Sequence, residues 1–126
     1  MKVGTKIYIS GKISGIENEA AELFAKAEKE LQEKGFETVN PMTLNHQHDK
    51  SWQSYMKEDI KALCECDEIF MLSNWTDSMG AIIEHTIAMY LGINVHYEAK
   101  QNNNNQKNKQ WQDRNQNTLP RPSESR

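Results

Sequence analysis

Cationic side chains are scarce over most of this chain. Residues 1–100 carry ten Lys and Arg against sixteen Asp and Glu, whereas residues 101–126 carry five against two. The body therefore lacks the clustered cations that phosphate backbones demand, which argues against nucleic acid as a partner of the main domain. Long apolar runs are missing too. None approaches the roughly 20 residues of a membrane span, and the first residues hold no apolar segment of the signal-peptide kind. A cytoplasmic protein without membrane attachment is the expectation. Cysteine is limited to Cys64 and Cys66. Two residues apart on a helix, their side chains diverge, which disfavours a disulfide. Two Cys are also too few for a zinc site without help. They read as small core-filling residues in a reducing compartment.

The 126 residues suffice for one domain. Composition divides them near residue 100. Residues 1–99 alternate strand-like and helix-like segments. Residues 100–126 are rich in Asn and Gln, carry Pro120 and Pro122, and show no periodicity. This tail is predicted to be disordered, with Trp111 as its one large apolar anchor.

Residues 3–9 form a β-rich run that ends at Ser10-Gly11. The following loop, Ser10-Gly11-Lys12-Ile13-Ser14-Gly15, combines glycines, hydroxyls and one lysine. Such a loop either turns strand into helix or aims backbone N–H groups at an anion. Residues 17–34 predict a helix with Ala20, Leu23, Phe24, Ala27 and Leu31 on its apolar face. Gly35 ends it. A second strand over 36–39 stops at Pro41, which cannot donate to a ladder. His46 and His48 lie in a polar loop and read as ordinary loop histidines, because a catalytic zinc needs three rigid protein ligands. No metal or cofactor is expected.

A helix follows over 51–65, with Trp52, Met56, Ile60 and Leu63 on one stripe and Asp59 at its border. Residues 69–72 form an unbroken apolar run, the mark of a strand buried on both faces of a parallel sheet. A third helix is expected from Gly80 to Leu91, with Ala81, Ile87, Ala88 and Leu91 on its apolar stripe. Glu84 falls on that same stripe. A carboxylate there is costly unless it is paired or has a task. Gly92 closes this helix, and residues 93–97 give a fourth strand.

The pattern βαβαβαβ specifies an α/β fold with a parallel sheet covered by helices. Right-handed crossovers leave few topologies, and a flavodoxin-like order 2-1-3-4 is the simplest. Ligands in such sheets bind beyond the carboxyl ends of the strands, at the switch point between strands 1 and 3. That crevice would gather Tyr8, the 10–15 loop, Ser78, Gly80 and Glu84.

Three motifs carry a resemblance. Tyr8-Ile9-Ser10-Gly11, the L-x-x-C-D-E-I pattern from Leu63 to Ile69, and S-x-G-x-x-x-E at Ser78, Gly80 and Glu84 resemble the nucleoside 2-deoxyribosyltransferase-like superfamily. The match is best to its short, often phage-borne branch that opens Y-I-S-G, and the superfamily includes 2′-deoxynucleoside 5′-monophosphate N-glycosidases. The resemblance implies a flavodoxin- or Rossmann-like three-layer sandwich with a four- to five-stranded sheet. It implies Glu84 as the nucleophile at the sugar C1′, Asp59 as the residue that handles the proton of the departing base or orients the sugar, and Tyr8 as the group that positions Glu84. It makes Ser78 a contact for a 5′-phosphate, with Ser10, Gly11, Lys12, Ser14, Gly15 and Gly80 around the substrate. The implied partner is a nucleoside or its 5′-monophosphate, and the implied assembly is a homodimer or larger, in keeping with a small sheet that has open edges.

Two departures from the family pattern stand out. The first-loop Arg that family hydrolases place on phosphate corresponds here to Ser14, with Lys12 the only nearby cation. The Asn/Gln-rich tail takes the place of a fifth strand and of C-terminal residues that reach a neighbouring subunit. A non-catalytic nucleotide-binding or sequestering module is therefore the alternative to an N-glycosidase or deoxyribosyl transferase.

Overall fold

The computed structural model describes residues 5–44 and 51–99. Val3, His46, His48 and the whole Asn/Gln-rich segment lie outside these residues. The elements in chain order are β1 (Lys6–Ser10), α1 (Glu17–Glu33), β2 (Glu37–Val39), α2 (Trp52–Cys64), β3 (Glu68–Met71), α3 (Met79–Leu91) and β4 (Asn94–Tyr97). Two short 3-10 turns, Pro41–Thr43 and Trp75–Asp77, precede α2 and α3. All strand pairs are parallel and the sheet order is β2-β1-β3-β4. This is the doubly wound order expected from the sequence.

Alternation along β1 builds the three layers. Ile7 and Ile9 point to one face, where they pack with Ala20, Phe24, Ala27 and Leu31 of α1. Tyr8 points to the other, against Leu63 of α2 and Ala81 and Ala88 of α3. Period-2 geometry places Ser10 on the Tyr8 side as well. A polar pair on a fully buried central strand thus faces the layer that carries Glu84.

Several sequence expectations need correction. Leu91 is 59% exposed at the last turn of α3, next to the Gly92 cap. Trp52 is 44% exposed, because it opens α2 beside a cavity rather than over the core. Cys64 is exposed and only Cys66 fills the core, where its thiol donates to the Ala62 carbonyl at 3.4 Å. α2 ends at Cys64, so Cys66 lies beyond the helix and not on it, and the chain turn at Glu65 separates the two. Leu23 is half-buried beside the fully enclosed Ala20 and Phe24.

Candidate functional site

Ser78 starts α3 as its N-cap, its Oγ accepting the Ala81 N–H at 3.1 Å. From that start, helical spacing turns Ala81, Glu84, His85 and Ala88 inward. Glu84 meets the C-terminal half of β1. Tyr8 Oη donates to its Oε2 at 2.8 Å, and Ser10 Oγ donates to its Oε1 at 2.7 Å. Both carboxylate oxygens are held, and the side chain is 5% exposed.

Two opposed effects act on the Glu84 proton. Burial penalises the charged form, and the Ser10 and Tyr8 hydroxyls stabilise it. Burial wins, and the carboxyl is pushed up to about 7. The Tyr8 hydroxyl is driven well above its ordinary range, first by burial and then by the charges of Glu84 and Asp59. It stays a donor at any physiological pH.

Glu84 and Tyr8 form part of the wall of a cavity of about 710 Å³ at the carboxyl ends of β1 and β3. Asp59, 7% exposed, reaches this wall from α2. Ser78 and Gly80 line it from the start of α3, and Gly11, Lys12 and Ser14 from the loop after β1. Ser10 and Gly15 are not among the lining residues. The Ser10 hydroxyl is turned to Glu84, behind the wall. The Gly15 amide donates to Glu17 Oε2 at 3.1 Å.

The loop after β1 is fixed by contacts that are distant in sequence. The Lys12 N–H donates to Asn74 Oδ1 at 3.0 Å, and Lys12 Nζ donates to the Asp77 carbonyl at 3.3 Å. Gly11 runs against Leu72, and a Cβ at this position would lie 2.7 Å from Leu72 Cδ1. The segment before α3 is tied down as well. The Ser73 N–H donates to Glu98 Oε1 at 2.9 Å, and Trp75 stacks on His85 with ring centroids 4.3 Å apart. His85 Nε2 in turn lies 2.7 Å from Tyr97 Oη. No cluster of three or more metal-ligating side chains occurs among the described residues.

The family described as Domain of unknown function (DUF4406) matches residues 5–97. This chain belongs to that family. No curated protein matches it. Among solved structures, the DUF4406 domain resembles a 2-deoxyribosyltransferase from the psychrotolerant bacterium Bacillus psychrosaccharolyticus. The TM-score is 0.58 at 23% identity, covering 73% of this chain and 70% of the other. That likeness establishes a shared fold.

Sequence reasoning assigned the DUF4406 domain's Ser10 to a ligand and missed Asn74 and Glu17. Asn74 carried no sequence signal, since its partner lies 62 residues away. Glu17 did carry one, because an acidic residue in the first turn of a helix suits the N-terminal amides. Trp52, a stripe residue of the helix expected over 51–65, lines the cavity, and Tyr55 lines it beside Trp52.

Proposed function

We propose that the DUF4406 domain cleaves or transfers the N-glycosidic bond of a nucleoside or nucleoside 5′-monophosphate, with Glu84 as the nucleophile. One observation carries this reading. A buried carboxylate lines an open cavity with both oxygens oriented by hydroxyl donors. Such a group is costly to maintain and suits covalent catalysis. The fold shared with a 2-deoxyribosyltransferase supports the same chemistry, and the sequence motifs extend it to the 5′-monophosphate N-glycosidases.

In this mechanism a Glu84 oxygen attacks C1′ and forms a glycosyl ester as the base leaves with the bonding electrons. Asp59 handles the proton of the departing base or orients the sugar. Water then releases the sugar, or a second base accepts it, as in retaining glycosidases. Tyr8 and Ser10 hold the carboxylate on its axis of attack. Ser78, Gly80, Gly11, Lys12 and Ser14 contact the rest of the substrate.

The second reading is a binding module without turnover. It is favoured by the Glu84 carboxyl being pushed up to about 7, since the protonated fraction at neutral pH, about half, cannot attack. A panel of nucleosides and their 5′-monophosphates, followed for free base with and without an added second base, separates the two. Base release that vanishes in Glu84→Ala supports the enzyme, and adding the second base distinguishes transfer from hydrolysis. Binding without base release from any substrate leaves the module. Self-association belongs to the same proposal, and exposed Met79, Ile82, Tyr90 and Leu91 on α3 support it. Light scattering of the full chain should then give a mass above that of one copy.

A further inference from the structure

The charge of the cavity bears on its ligand. Among the described lining residues, Glu17, Asp59, Asp77 and Glu84 stand against Lys12 as the single Lys or Arg. Lys12 Nζ already donates to the Asp77 carbonyl. Glu17 and Asp77 are exposed, whereas Asp59 and Glu84 are buried, so a phosphate brought to this wall would face two carboxylates whose charges are screened far less than in water.

The place best suited to an anion is already filled from within the chain. Gly15, at φ 87, turns its N–H to Glu17 Oε2 at the start of α1. The Glu17 carboxyl is held below its ordinary range by its own amide and that of Gly15. A helix N-terminus and a glycine turn, which elsewhere cradle phosphate, here cradle a carboxylate that belongs to the protein. Ser78 Oγ is likewise engaged, accepting the Ala81 N–H.

Aromatic surface completes the picture. Trp52 and Tyr55 both line the cavity and are 44% and 36% exposed. Ring faces of this kind attract cations as well as stacked bases.

We propose that this cavity selects nucleosides that lack a 5′-phosphate and whose base carries a positive charge, such as an N-alkylated purine. The inference rests on the reading of the cavity as an N-glycoside site. The chemistry favours it. When Glu84 attacks C1′ of a cationic nucleoside, the C1′–N bond breaks and its electron pair returns to the ring. The base leaves neutral and needs no proton. The carboxylate charge is consumed in the ester, so the step destroys an ion pair, which a low-dielectric cavity promotes. Water then adds its hydroxyl to C1′, and Glu84 is regenerated with release of one proton.

The test uses the full chain with guanosine, 7-methylguanosine and guanosine 5′-monophosphate, together with their 2′-deoxy counterparts. Affinity is measured by calorimetry, and base release is measured above the spontaneous rate. The 7-methyl cation should bind at least about tenfold more tightly than its neutral parent, and the parent at least about tenfold more tightly than the monophosphate. High salt should shrink the advantage of the cation. Glu17→Gln should tighten monophosphate binding at least about threefold relative to binding of the neutral nucleoside. A monophosphate that binds as well as its nucleoside, a cation that binds no better than its parent, or no binding by any of the six overturns the proposal. The proposed reaction fails separately. Cation-selective binding without base release removes the enzyme and keeps the selectivity, whereas base release confined to monophosphates does the reverse.

Discussion

Tyr8 and Glu84 stand 76 residues apart in the chain, and their side chains meet at 2.8 Å inside the fold. The phenol donates to one carboxylate oxygen while Ser10 takes the other. The pair joins the central strand to α3, so the orientation of the proposed nucleophile is set by the sheet and not by the helix that carries it.

Tyr8→Phe keeps the buried ring and removes only the donor. Loss of a hydrogen bond to the charged form raises the Glu84 carboxyl further, by about one pH unit. The acidic limb of the base-release profile should move up from near 7 by that amount. At pH 7 the rate should fall about fivefold from the smaller ionised fraction alone. An unchanged acidic limb in Tyr8→Phe would show that Glu84 is not the group being titrated.

The Glu84 proton also couples to stability. Its folded-state value, about 7, lies above the ordinary 4.5. Between these values the folded protein holds a proton that the unfolded chain has lost. Stability from this group is therefore greatest in acid and falls as pH rises from about 4.5 through 7. Glu84→Gln removes the titration. Urea unfolding should show the variant gaining roughly 2–3 kcal/mol relative to the parent between pH 5 and pH 8. Base release should be lost at both pH values.

His85 titrates with the opposite sign. Burial lowers it below its ordinary 6.5, so the folded protein keeps it neutral against Trp75 and Tyr97. Below about pH 6.5 the unfolded chain binds a proton that the folded one refuses, and stability drops as pH falls. His85→Phe keeps the stack and should remove this acid-side loss, leaving between pH 5 and pH 7 the opposite trend set by Glu84. Its base release at pH 7 should still decline, because the Tyr97 contact that helps fix the segment before α3 is gone.

Gly11→Ala tests how closely the loop after β1 is packed. The added Cβ would lie 2.7 Å from Leu72 Cδ1 and 2.9 Å from Leu72 Cβ. The second atom cannot move without the backbone. Overpacking of this kind costs about 1–3 kcal/mol. Denaturant melts should show the loss, and ligand affinity should weaken with it because Lys12 and Ser14 ride on the same loop.

Local patterning carried much of this fold. The unbroken apolar run through Ile69 marked a buried parallel strand. The spacing of Ala20, Phe24, Ala27 and Leu31 marked the buried face of α1, and alternating strand and helix led to the order 2-1-3-4. The weak points were at helix ends. Trp52 and Leu91 obey the period of their stripes, yet both are exposed, Trp52 against the cavity and Leu91 at the last turn of α3. Periodicity fixes direction around a helix and says nothing of how far along it the sheet extends.

The site divides in the same way. That Glu84 turns inward follows from sequence, because its place relative to the Ser78 cap and to Ala81 and Ala88 is a matter of helical geometry. What it meets does not. Tyr8 and Ser10 share a face of β1 by alternation, but only the parallel register brings that face under α3. The Gly/Ser loop was legible as a turn with anion-binding potential. Its occupation by Glu17, its anchoring to Asn74 and the acid-rich cavity around it arise from chain segments brought together by the crossovers. Sequence determines which side chains are available and which way each element turns them. Burial, and with it the rise of the Glu84 carboxyl toward neutrality, is a property of the assembled layers, because desolvation depends on every neighbour at once.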